Sequence, residues 1–114
     1  MYTVDDLERA RAALASAERR VDDYDGNNPN KHRTAVAEAR EQVYKVERAL
    51  KRARLIPLTP HDELELALDE KYPSARSKAT VEYEGKRYIK TFRPGARSLS
   101  GRVRFWIESW SEAD

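Results

Sequence analysis

One spacing of apolar residues occurs twice in the first half of this 114-residue chain, and it limits the fold more than any other feature. Leu7, Ala10, Leu14, Ala17, Val21 and Tyr24 recur at intervals of 3, 4, 3, 4 and 3. Val36, Ala39, Val43, Val46, Leu50 and Ala53 repeat those intervals. Such alternation puts each set on one stripe of a helix. Thr3 is predicted to cap the first helix, with Asp5 and Asp6 favouring its positive end. Gly26 is predicted to end it. Asp25-Gly26-Asn27-Asn28-Pro29-Asn30 reads as a turn, and Asn28 with Pro29 as the start of the second helix. Two helices of equal period joined by a short turn predict an antiparallel hairpin.

That seam is thin. Each buried methylene contributes about 0.8 kcal/mol, and ordering costs about 1–2 kcal/mol per residue, so alanine positions contribute little. The hairpin therefore needs a third surface: the rest of the chain, a second copy or a partner. A homodimer through the hairpins is the expected solution.

The second half changes character. Leu55-Ile56-Pro57-Leu58 ends the second helix and is apolar enough to tuck under a core. Thr59-Pro60 then starts a third helix, with Asp62 and Glu63 in its first turn and Pro73 beyond its end. Leu64, Leu66, Ala67 and Leu68 give it an apolar side, and its five acids are read as a solvated face. Residues 79–83 and 86–92 alternate like strands around Glu84-Gly85. A two-residue turn pairs Val81 with Tyr88 and Tyr83 with Lys86, which sets Val81, Tyr83, Tyr88 and Phe92 on one face. Residues 94–101, with two Gly and two Ser, are expected to be a flexible connection.

Arg102–Trp110 is the last strand, and it carries bulk on both faces. Val103, Phe105 and Ile107 point one way and are expected to meet the helices. Arg102, Arg104, Trp106, Glu108 and Trp110 point the other way. The fold class is therefore α+β: a long antiparallel helical hairpin, a short third helix and a three-stranded antiparallel β-meander. One domain is expected over 1–114, with the hairpin in 1–56 and the short helix plus sheet in 57–114.

Composition narrows the function. Net charge is only +2, so no global polycation argument favours nucleic acid or a membrane surface. The charge is uneven: residues 59–70 carry five acids and no Lys or Arg, and residues 71–114 carry ten basic side chains against five acids. There is no cysteine, which removes disulfides and thiolate metal sites. No apolar run approaches the roughly 18 residues of a membrane span. The N-terminus lacks the basic-then-apolar layout of a signal peptide. A cytoplasmic protein is expected.

Catalytic raw material is sparse. His32 and His61 are far apart in sequence and form no zinc spacing. No serine sits in a nucleophile elbow, and the four glycines form no phosphate loop. No enzyme activity, cofactor or metal is therefore expected. The informative set is basic and aromatic: Arg87, Arg93, Arg102, Arg104, Trp106 and Trp110 are the expected partner-binding residues. Arg with Trp is the mixture of protein-interface hot spots. The expected function is a non-catalytic protein-binding module, acting as inhibitor, adaptor or assembly factor. A small phage or mobile-element protein acting on a host nucleoprotein machine fits the size, the charge and the lack of catalytic motifs. The alternative is nucleic-acid binding, with bases stacking on the aromatics of the basic sheet.

Overall fold

The structure, a computed structural model, describes residues 1–26, 28 and 30–113. It has three helices, α1 (Val4–Asp23), α2 (Arg33–Arg52) and α3 (Pro60–Lys71). Three strands follow, β1 (Thr80–Tyr83), β2 (Lys86–Arg97) and β3 (Val103–Ala113). They form one antiparallel sheet in the order β1-β2-β3. The fold is α+β, with α1 and α2 in a hairpin-like arrangement. The chain divides into two compact units, and neither is continuous in sequence. The first combines Met1–Ile56 with Pro94–Trp106, and the second combines Pro57–Arg93 with the chain from Ile107 onward.

In the first unit, α1 begins with a capping box. The Asp6 backbone N–H donates to the Thr3 hydroxyl, and the Thr3 N–H donates to the Asp6 carboxylate. That backbone bond, and then the Arg9 guanidinium, hold the Asp6 carboxyl below its ordinary value of 3.8. A depressed folded-state pKa gives stability that is present above the unfolded value and lost as pH falls through the folded one. Acid titration should therefore weaken α1 at its first turn, and Asp6→Asn should remove that part of the pH dependence of the melting temperature.

Leu7, Val46 and Leu50 form the apolar core of this unit, joined by Ile56. Buried Ala10, Ala17 and Ala37 let α1 and α2 approach closely. The seam differs from the sequence expectation at its ends. Val21 is exposed, and Ala53 is the C-cap rather than a seam residue. The helix α2 starts at Arg33 with His32 at its N-cap, later than Asn28. Asn28 instead accepts the Asn30 N–H on its side chain, a local turn bond that competes with helix. The expected role of Pro29 lies outside the described residues. Tyr24 closes this end, meeting His32 edge-on at 5.4 Å with Lys31 over its ring.

The end of α2 is a Schellman motif. The Leu55 N–H donates to the Leu50 carbonyl and the Arg54 N–H to the Lys51 carbonyl. Arg54 holds the left-handed position with φ 57°, where glycine is usual. Left-handed backbone costs an L-residue about 1–2 kcal/mol, and glycine gives back about 0.4–1 kcal/mol through unfolded-state entropy. Arg54→Gly should therefore stabilise the protein by up to about 1 kcal/mol, read as a higher denaturation midpoint.

The remainder of the first unit is the distal end of the β2–β3 ribbon. Residues 94–101 were expected to be a loose connection, but β2 runs on through Pro94, Gly95 and Ala96 to Arg97. Pro94 is tolerated because of where its missing N–H would point. Lys90 N–H donates to Ala79 O on the β1 side, and alternation sends position 94 the same way. The β1 pairing has ended by then, at Thr80 opposite Ile89, so no ladder bond is lost. Gly95 has its own cause: a Cβ there would collide with the Phe105 ring. Phe105 lies between Gly95 and the Tyr44 ring, 5.3 Å away. Gly95→Val should cost about 1–3 kcal/mol by overpacking, measurable by chemical denaturation.

In the second unit, α3 matches its sequence signals closely. Thr59 caps it, Pro60 opens it, and Thr59 and Asp62 form a reciprocal capping box. The β1–β2 hairpin has the expected register, with Val81 opposite Tyr88 and Tyr83 opposite Lys86. Its turn, Glu84-Gly85, has φ 48° and 79°, the two positive values that match the twist of the strands. Leu68, Tyr88 and Trp110 form the core, with Leu64, Tyr72, Val81 and Tyr83 packed against it. The Tyr72 hydroxyl donates to the Glu82 carbonyl at 2.7 Å, which ties the end of α3 to β1.

Candidate partner-binding surface

The six expected partner-binding residues divide between the two units. Arg102, Arg104 and Trp106 belong to the first unit, and Arg87, Arg93 and Trp110 to the second.

In the first unit, Arg102 is exposed and lies just before β3. Trp106 is 49% exposed. Its chain neighbours Phe105 and Ile107 are half-buried, so the indole is more exposed than the residues on either side of it. Arg104 is not a free surface cation. Its Nη2 lies 3.7 Å from Glu41 Oε2 on α2, and its Nε is buried without a hydrogen bond among the described residues. Arg104→Glu would set a carboxylate against Glu41, so it tests packing as well as binding. Arg102 and Trp106 are the two members of this set that solvent reaches freely.

In the second unit, Arg87 and Arg93 are exposed on β2. Trp110 is the clear correction. It is 1% exposed and is the largest fully buried side chain, which removes it from any partner-binding surface. The cause is α3, which supplies Leu68 beside the ring and Asp69 for its polar edge. Indole Nε1 donates to Asp69 Oδ1 at 2.8 Å. The same oxygen accepts Lys90 Nζ at 3.0 Å, and Glu108 Oε1 lies 3.2 Å from that ammonium. Lys90 also sits 5.0 Å from the Trp110 ring centre, a cation over an aromatic face. Its side chain is 5% exposed, so this lysine is a core cation held by two carboxylates.

Lys90 is not among the expected site residues, and the acids of α3 are expected to be solvated. Alternation carried the missing signal. Lys90 stands between Tyr88 and Phe92, both assigned to the buried face, so it had to share that face. On α3, Asp69 follows Leu68, four residues after Glu65, along the edge of the apolar stripe.

Glu65 gathers a second polar group. Its Oε1 lies 2.7 Å from His61 Nε2 and accepts the Ser109 hydroxyl at 3.1 Å. These are the residue types of a hydrolase triad in a different order. The carboxylate stands between serine and imidazole, so the histidine does not hold the hydroxyl it would have to deprotonate. The arrangement ties α3 to β3 and does not activate Ser109. No cluster of His, Cys, Asp or Glu among the described residues could hold a metal ion. No helix among them is long and apolar enough to cross a membrane.

Comparison with protein-family models, with curated proteins and with solved structures returns no match for the chain.

Proposed function

We propose that the chain is a non-catalytic protein-binding module, an inhibitor, adaptor or assembly factor that engages its partner through Trp106 and Arg102. The half-exposed indole carries this reading. Exposed tryptophan is costly in water, and Trp with Arg is the pair most enriched among residues that dominate interface energies. The rest of the strand has found cover within its own unit, through Phe105 on Tyr44 and Arg104 on Glu41. Trp106 has not.

The test is a pull-down from the native lysate with tagged protein, run with and without nuclease. A protein partner retained after nuclease, and reduced at least tenfold by Trp106→Ala with an unchanged melting temperature, is the expected result. A hot-spot truncation costs about 2 kcal/mol or more, which corresponds to that loss. Capture that disappears with nuclease, and falls steeply with salt, would move the function to nucleic-acid binding. Fluorescence supplies a check on the site itself. Iodide should quench Trp106 and spare Trp110, so Trp106→Phe should leave only protected emission.

A further inference from the structure

The first unit contains a cleft of about 430 Å³ that is separate from the Trp106 surface in its lining residues. Val21, Val36, Ala37 and Ala96 make its apolar part. Its polar part consists of three arginines, Arg33 and Arg40 on α2 and Arg97 at the end of β2. No acidic residue among the described ones lines it. Arg33 and Arg40 stand seven residues apart, two turns along one helix face, with Val36 and Ala37 between them. Neither makes an ion pair among the described residues, although α2 carries other arginines and lysines that do or that stack on rings. Arg97 is braced, since its Nη1 donates to the Gly101 carbonyl at 2.9 Å and leaves its other donors available.

Small-molecule sites are concave and mostly apolar, have a few placed polar groups, and occupy about 300–1,000 Å³. This cleft has such a volume and a mostly apolar lining, it is open on one side, and its polar groups carry one sign. Guanidinium is the side chain best matched to a carboxylate, with two parallel N–H donors for its two oxygens. We infer that this cleft binds a small amphiphilic organic anion, with its apolar body on Val21, Val36, Ala37 and Ala96 and its carboxylate on the arginines. An apolar molecule without charge would leave three cations facing a dry contact. A compact inorganic anion would leave the apolar floor uncovered. The site is independent of the Trp106 reading, because none of its lining residues belongs to that surface.

The probe is decanoate, followed by methyl chemical-shift changes of the intact protein, with decanol as the uncharged control. The expected result is one saturable site with shifts at Val21, Val36, Ala37 and Ala96, and at least tenfold weaker binding of decanol. Arg33→Glu with Arg40→Glu should weaken decanoate at least tenfold, and Arg33→Lys with Arg40→Lys should recover part of it. Binding should fall as pH drops through the probe's own carboxylate pKa, where decanoate loses its charge. Equal binding of decanol, no saturable shifts at millimolar decanoate, or indifference to charge reversal in a folded double variant would overturn the assignment. Folding of the variants is read from unchanged shifts at Leu7 and Leu50, which lie in the core of the same unit.

Discussion

Trp110→Ala should destabilise the second unit by about 3–5 kcal/mol, the range for removing a large aromatic side chain from a packed core. The ring fills the space between Leu68 and Tyr88 at 1% exposure, and its N–H is satisfied by Asp69. The truncation therefore leaves a cavity and takes a donor from the carboxylate. Trp106→Ala should move stability by less than about 0.5 kcal/mol, as surface substitutions do. The two variants differ in one residue of the same type on the same strand face, so equilibrium denaturation compares them directly. Equal losses would mean that Trp106 is core and would remove it from the binding surface.

Asp69→Ala should cost about 1–3 kcal/mol, the range for leaving a buried donor unsatisfied, since Glu108 still faces the Lys90 ammonium. Solvent also reaches part of the carboxylates: Asp69 is 23% exposed and Glu108 36%, against 5% for Lys90. One oxygen serves two donors, so the variant leaves the indole N–H without its acceptor and Lys90 with Glu108 alone. Asp69→Asn should cost less, since the amide oxygen still accepts from the indole. Combining either change with Lys90→Met should recover stability, because the buried cation then no longer needs a partner. A double-mutant cycle on Lys90 and Asp69 measures that coupling. Additive losses would show that the pair contributes nothing beyond the packing of its two side chains.

The parts of this fold that were legible in the sequence are those decided within a few residues. The capping box at Thr59 and Asp62 is one, because cap and helix are four residues of the same turn. The Glu84-Gly85 hairpin is another, because two positive φ values demand those residue types and then set the register. The continuation of β2 was not legible. Pro94 and Gly95 are strand breakers by themselves, and their costs vanish only through an edge that β1 leaves open and a ring that arrives from Phe105. The choice between the two tryptophans was likewise out of reach. Alternation puts Trp106 and Trp110 on one face, and the difference is made by Asp69, 41 residues earlier in the chain. Lys90 is the instructive middle case, since its face was already implied by its neighbours. Basic side chains ordinarily seek water, and two carboxylates on other elements decide otherwise here. Of the site, the composition was readable and the exposure was not.

The discontinuity of the two units has a consequence for synthesis. The helices of the first unit leave the ribosome complete at Ile56, while Pro94–Trp106, which belongs with them, is made about 40 residues later. At about 5–20 residues per second, that is an interval of roughly 2–8 s. During it, the hairpin has only Leu7, Val46, Leu50 and Ile56 for a core, and Tyr44 waits without the Phe105 ring that will cover it. The second unit is interrupted in the same way, since Tyr88 and Leu68 precede the Trp110 that completes their cluster. The nascent chain thus passes its most vulnerable moment late, with both cores begun and neither closed. A stop codon between β2 and β3 would release a product with two unfinished interiors rather than one finished unit and one missing.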